Sequence, residues 1–304
     1  MSPSDMSTFG NFARQFAEIR AFIDRGIEAF CGESSPLVPP RLRDSMAYSL
    51  LAGGKRLRPA LCLKGAELFG IEGERAFPLA LSFEMIHTAS LIHDDLPAMD
   101  DDVLRRGKAT NHVLFGEATA ILAGDALMAL AFEYPLRELP EKGIAPERIC
   151  SALSLLASAL GPSGICGGQV LDMDGELLSE ETPWRIARQK TAVLLSAAVT
   201  TGAILGGADE GAQASLRAYG NHLGTAFQIV DDILDVTSTA EELGKTPGKD
   251  AAQKKKTFVA VYGMDKALSL ASEQTALAVT ALENLPGDTA FFSGLADYLT
   301  ERTF

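Results

Sequence analysis

Apolar residues recur along this chain at the three- and four-residue spacing that gives a helix one buried face, and strand-like alternation over four or more positions is rare. The punctuation agrees with that period. Pro59 stands where a first helical turn tolerates proline, and a helical pattern over 60–69 runs until Gly70 ends it. A longer apolar run over 76–93 meets a row of aspartates, and Pro97 breaks the pattern just beyond. The same signals predict helices over 117–136, 146–160, 184–205, 210–236 and 264–285, with a closing helix over 288–301. Pro140, Gly143 and Pro146 mark a loop after the helix at 117–136. No low-complexity linker and no sequence repeat interrupts this series, which predicts one all-α domain over 1–304.

Composition supports helices: Ala and Leu dominate the apolar residues, and aromatics make up only 7% of the chain. The stretch 191–208 carries no charge over eighteen residues, long enough to raise a membrane span. It contains Ser196, Thr200, Thr201, Gly202, Gly206 and Gly207 and has no flanking aromatic belt, so a buried core helix is the better account, without stable membrane insertion.

The formal charge of −13 argues against nucleic acid as a partner, because a phosphate-backbone binder needs a basic face. Cations suit an acidic surplus better. Cys31, Cys62, Cys150 and Cys166 are scattered without CxxC spacing, and residues 1–10 show no basic region followed by an apolar stretch. The expectation is a reduced, cytoplasmic protein.

Two aspartate clusters carry the chemistry. Asp94, Asp95, Asp100, Asp101 and Asp102 form the first, followed by Arg105 and Arg106; Asp231, Asp232 and Asp235 form the second. In the second, helical spacing puts Asp231 and Asp235 on one face with Asp232 beside them and Gln228 sharing it. Two carboxylates about 4 Å apart repel by about 1 kcal/mol in water and about 4 kcal/mol at an effective dielectric of about 20. Such clusters at the ends of apolar helices call for solvent or hard divalent cations, and Mg²⁺ suits carboxylate oxygens while keeping positions for water and phosphate. A solvated helix end accounts for one cluster alone; two in one chain are more specific. A calcium loop fails, because Leu96 and Met99 stand where it needs an oxygen ligand and a glycine.

Basic groups accompany the acids. Residues 53–59, GGKRLRP, form a glycine-led basic loop before a helix, a natural phosphate site. His87 precedes Asp94 by seven residues, two turns up the same face. Arg105 and Arg106 match phosphate geometry, although an acidic surface could hold them in ion pairs. Lys190 and Thr191 interrupt a long apolar helix, so the lysine must snorkel or face a polar cavity. The segment from Gly244 and Lys245 to Lys254, Lys255 and Lys256 reads as a basic lid.

These residues resemble the trans-isoprenyl diphosphate synthases of the short-chain, farnesyl or geranylgeranyl type. The likeness runs through GGKRLRP at 53–59, EMIHTASLIHDDLPAMDDDVLRRG at 84–107, GGQVLDMDGE at 167–176, RQKTA at 188–192, FQIVDDILD at 227–235 and LGKTPGKD at 243–250. It implies a bundle of mostly antiparallel helices around a central cavity, assembled as a homodimer. It implies that Asp94, Asp95, Asp100, Asp231, Asp232 and Asp235 bind three Mg²⁺ ions, with Mn²⁺ able to substitute. Arg105, Lys190, Gln228, Lys245 and Lys255 would hold the allylic diphosphate, with Thr191 and Phe227 beside it. Gly54, Lys55, Arg58, His87 and Arg106 would hold isopentenyl diphosphate. Ala192 departs from the family pattern, where glycine often follows Lys-Thr; packing should feel this more than chemistry.

The reaction so implied is ionisation of the allylic diphosphate, attack by the isopentenyl double bond and loss of a proton. Ala89 and Ser90, five and four residues before Asp94, should help set the floor of the chain tunnel. In this family a bulky aromatic at the place of Ala89 stops the chain at farnesyl, so alanine leans toward geranylgeranyl. A class I terpene cyclase would share the fold but need no second diphosphate pocket, and DDILD with GGKRLRP favours elongation. A non-catalytic regulatory homologue usually lacks aspartates in one cluster; both are intact here.

Overall fold

The computed structural model describes residues 3–33, 35–173, 179–237 and 257–300. Helices α1 (Pro3–Gly32) and α2 (Pro40–Leu50) lead into α3 (Leu57–Leu68) and α4 (Gly73–Asp94). A two-residue antiparallel hairpin follows, β1 (Leu104–Arg105) with β2 (Lys108–Ala109), Leu104 opposite Ala109. Next come α5 (Asn111–Phe115), α6 (Glu117–Glu141), α7 (Pro146–Leu160), α8 (Ile165–Met173) and α9 (Thr182–Ile186). A π-helical segment, Ala187–Ala192, joins α9 to α10 (Val193–Gly206). The chain then runs through α11 (Glu210–Thr237), α12 (Phe258–Tyr262), α13 (Met264–Thr280) and α14 (Ala290–Thr300).

The predicted core helices are present, with instructive differences. Helix α3 starts at Leu57 and takes Pro59 into its first turn, where backbone N–H groups have no intrahelical partner in any case. Helix α6 passes through Pro135 and Pro140 to Glu141, five residues beyond the predicted end. Pro135 is buried there, so packing outweighs a proline cost of about 3 kcal/mol. The single helix predicted over 184–205 is three segments, and the one over 264–285 ends at Thr280. Helices α1, α2, α5, α8 and α12 and the hairpin are not among the predicted elements.

Helix α10 is the centre of the bundle, packed against α3, α4, α7 and α11. Its residues from Leu194 to Leu205 are all buried, which places the uncharged stretch in the core. Close approach is written into the glycines: a Cβ on Gly202 would lie 2.0 Å from the Cys62 carbonyl oxygen, and one on Gly65 would lie 2.2 Å from that of Val199. Ala192 is buried and so close to Gly224 that a Cβ there would sit 2.6 Å from its methyl carbon, so the family departure is met by a glycine on the facing helix. By length and composition alone, α6 and the stretch Pro146–Met173 could cross a membrane, but the latter is broken between α7 and α8.

A smaller apolar cluster of Ile229, Val230, Ile233, Phe258 and Leu270, with Trp184 against it, locks the last turns of α11 to α12, α13 and α9. Together the two cores fix the aspartate-bearing ends of α4 and α11.

Candidate active site

The ends of α4 and α11 open onto one cavity of about 590 Å³. Asp94 from the first cluster and Asp231 from the second line it together with Lys190, Thr191, Phe227 and Gln228. Gly54, Lys55, Arg58, His87, Arg105 and Arg106 line it as well, so the cavity has both acidic and basic walls. Ser90 also reaches the lining, but Ala89 is fully buried in the core and does not. Successive helical residues point about 100° apart, so one of the pair faces the cavity and the other the bundle interior.

The clusters divide similarly. Asp95 is buried and turned to Arg105, whose Nε lies 2.7 Å and Nη2 2.6 Å from Asp95 Oδ1. Asp232 and Asp235 are buried rather than cavity-lining. Asp232 accepts from Gln228 Nε2 at 2.9 Å and from the Phe258 backbone N–H at 2.8 Å. Asp100 is half-buried in the turn after α4, where its backbone N–H donates to the Asp94 carbonyl at 2.8 Å. Four of the six predicted metal ligands thus lie outside the cavity lining.

Burial pushes the Asp94 carboxyl from its ordinary 3.8 up to about 6; Asp100 and Asp95 add to this, and Lys190 and Arg105 oppose it. An acid raised in the fold stabilises it at low pH and loses that contribution as pH rises through about 6. At neutral pH the ionised Asp94 therefore strains the fold until a cation offsets the charge. Among the described residues no three His, Cys, Asp or Glu side chains converge as a cage. Asp94 and Asp231 offer carboxylate oxygens in one cavity, the donor type that a hard divalent cation takes.

On the basic side, burial lowers the Arg58 guanidinium to about 10, against the pull of Glu84 and Asp231, so it stays charged at neutral pH. Burial, with Arg58 and Arg106 nearby, pushes His87 well below its ordinary value, leaving a neutral imidazole with one N–H to donate. Arg58 Nε and Gln169 Nε2 are buried in the wall with no acceptor among the described residues, each at a cost of about 1–3 kcal/mol. Arg106 donates to the Gly53 carbonyl across Gly54, where a Cβ would sit 2.9 Å from its guanidinium. The φ of +150 at position 54 is one that L side chains rarely adopt, so the backbone there favours glycine.

Lys190 and Thr191 sit on the π-helical segment, whose wider turn brings successive side chains toward the same space. Lys190 Nζ pairs with Asp172 Oδ2 at 2.6 Å. Thr191 Oγ1 donates to Gln228 Oε1 at 2.7 Å, and the bond from Gln228 Nε2 to Asp232 fixes which end of the amide faces the threonine. Thr191 therefore keeps its lone pairs for whatever lies in the cavity.

Arg20, Glu84 and Gln169 also line the cavity and were not singled out from sequence. Gln169 and Glu84 stand within motifs that carried the resemblance, whereas Arg20 lies on the unpredicted α1. Lys245 and Lys255, with the rest of 238–256, lie outside the described residues.

An all-helical bundle whose central cavity joins two aspartate-bearing helix ends to a basic loop has the isoprenoid synthase fold. Solved structures agree: an FPP/GFPP synthase from Zymomonas mobilis superposes with a TM-score of 0.83 at 33% identity, covering 96% of this chain and 99% of that one. A geranylgeranyl pyrophosphate synthetase from the archaeon Geoglobus acetivorans gives 0.82 at 32% identity, with coverage of 96% and 99%. Residues 39–285 match the polyprenyl synthetase family model, and the chain belongs to that family. A chloroplastic geranylgeranyl pyrophosphate synthase of Capsicum annuum is 47% identical over 268 residues, 87% of this chain and 72% of the relative. A dimethylallyltranstransferase of Fischerella ambigua is 45% identical over 268 residues, 87% and 77% of the two chains. The protein is a prenyltransferase of the short-chain prenyl diphosphate synthase type, a family that acts on isoprenoid diphosphates and generally uses a divalent metal.

Proposed function

We propose that this enzyme joins isopentenyl diphosphate to an allylic diphosphate, dimethylallyl, geranyl or farnesyl, and that its main product is geranylgeranyl diphosphate. One observation carries the reading: a single cavity combines Asp94 and Asp231 with a basic wall containing Lys55, Arg58 and His87, so two diphosphates have separate partners. Its volume of about 590 Å³ falls in the ordinary range for small-molecule sites of about 300–1,000 Å³.

The two aspartate clusters would hold Mg²⁺, three ions in the full complex, through Asp94, Asp95, Asp100, Asp231, Asp232 and Asp235, some directly and others by way of water. The bound cation supplies charge neutralisation for the departing diphosphate. Arg105, Lys190, Lys245 and Lys255 bind that diphosphate and stabilise the charge it gains as the allylic carbon–oxygen bond breaks. The oxygens of Thr191 and Gln228 face the allylic cation. Lys55, Arg58, Arg106 and neutral His87 hold isopentenyl diphosphate so that its double bond forms the new carbon–carbon bond. A proton then leaves the adjacent carbon and the alkene is restored.

The whole chain, 1–304, acts as one catalytic domain in the reducing cytoplasm, with its four cysteines as free thiols. It works as a homodimer, for which the exposed Val113, Leu114, Ile121 and Leu122 on α5 and α6 offer an apolar contact face.

Product length tests the reading. The enzyme extends farnesyl diphosphate to geranylgeranyl diphosphate, and Ala89→Phe shifts the main product to farnesyl diphosphate. Overpacking at this buried position should cost about 1–3 kcal/mol, so the profile is read on protein shown to be folded. An unchanged profile in folded Ala89→Phe removes the floor assignment, and failure to extend farnesyl diphosphate removes the product.

A further inference from the structure

The basic loop at 53–59 presents Lys55, Arg56 and Arg58 as equivalent positive charges in the sequence, but the fold separates them. Arg56 takes the left-handed conformation, φ +55, at the start of α3. Its guanidinium is buried and reaches three helices: Nε donates to Asp24 Oδ1 on α1 at 2.8 Å, Nη1 donates to Glu84 Oε1 on α4, and Nη2 donates to the Leu50 carbonyl ending α2 at 2.9 Å. Lys55, by contrast, is exposed, with its Nζ 5.3 Å from the centre of the Phe227 ring, and Arg58 Nε has no acceptor among the described residues.

Glu84 poses a complementary problem. It is a buried carboxylate in the wall of a cavity meant for anions, where it would repel a diphosphate unless its charge were held. Arg56 holds it. The planar fork suits this task, since a lysine ammonium could not span all three acceptors in fixed directions.

We propose that Asp24, Arg56 and Glu84 form a positioning unit that masks the Glu84 charge and fixes the loop presenting Lys55 and Arg58 to isopentenyl diphosphate. Arg56 lines the cavity, but its Nε, Nη1 and Nη2 are each engaged by Asp24, Glu84 and the Leu50 carbonyl, so in this scheme it acts through its neighbours and is not a substrate ligand. The inference rests on the reading that the basic loop is the isopentenyl diphosphate site.

Asp24 lies outside the cavity lining and is over a third exposed, so Asp24→Asn tests the unit without touching substrate or core. Steady-state rates with each substrate varied in turn should show Asp24→Asn raising KM for isopentenyl diphosphate about tenfold, with kcat and the allylic KM held within about threefold. Arg56→Lys should give the same split, more strongly. An isopentenyl KM unchanged in both variants, or both KM values rising together, overturns the unit. Lys55→Ala separates the two levels: if it raises the isopentenyl KM while Asp24→Asn and Arg56→Lys do not, only the positioning role fails. If Lys55→Ala also leaves that KM unchanged, the loop is not the isopentenyl site and the inference falls with it.

Discussion

Asp94→Ala and Asp231→Ala each lower kcat by about three orders of magnitude or more at saturating Mg²⁺ and substrates, with the helical circular dichroism retained. The two carboxylates come from different helices yet line one cavity, so in the proposed mechanism each is a separate anchor for cation and diphosphate. Burial raises the Asp94 carboxyl to about 6, so at neutral pH its ionised form weakens the metal-free fold. Metal-free Asp94→Ala should therefore melt no lower than the parent, which separates lost chemistry from lost structure. Asp232→Ala is a poorer probe, because it also strips acceptors from Gln228 and the Phe258 backbone. Near-normal turnover in Asp94→Ala or Asp231→Ala would remove that cluster from catalysis.

Arg58→Ala raises KM for isopentenyl diphosphate by about ten- to a hundredfold, the loss expected when a charge-assisted contact worth about 1.5–3 kcal/mol is deleted. Arg58 remains charged although burial lowers it to about 10, and its Nε has no acceptor among the described residues of the wall. A group held in that state gains more from a bound anion than an exposed, hydrated lysine does. The allylic KM should move much less, since the proposed allylic ligands are held elsewhere: Arg105 pairs with Asp95 of the first aspartate cluster, and Lys190 pairs with Asp172 on α8. Initial rates with one substrate saturating measure the split. A selective rise in the allylic KM would mean that the two diphosphate sites are exchanged.

Much of this site is legible before any coordinates, because its parts sit at helix ends and in glycine-marked turns, where sequence signals are strongest. Asp94 and His87 share a face by simple helical spacing, and both line the cavity. Direction is harder to read. Nothing in GGKRLRP reveals that Arg56, which lines the cavity like Arg58, is a left-handed residue whose guanidinium is taken up by Asp24 and Glu84, since φ depends on what those two offer from helices far away in sequence. The division of Ala89 from Ser90, and of Asp231 from Asp232 and Asp235, likewise depends on how each helix is rotated in the bundle. Periodicity also smooths over the π turn at 187–192, whose apolar neighbours look like one continuous helix. Helices α1 and α2 are not among the predicted elements, yet α1 supplies both Arg20 to the cavity and Asp24 to Arg56.

The central claim is that one cavity brings two diphosphates together and joins their carbon chains. Its most direct measurement incubates the purified chain with Mg²⁺, radiolabelled isopentenyl diphosphate and an unlabelled allylic diphosphate, then follows the label. The account predicts that label enters a longer prenyl diphosphate only when both substrates and the metal are present. Diphosphate release without consumption of isopentenyl diphosphate, or no turnover by the chain on its own, would contradict it.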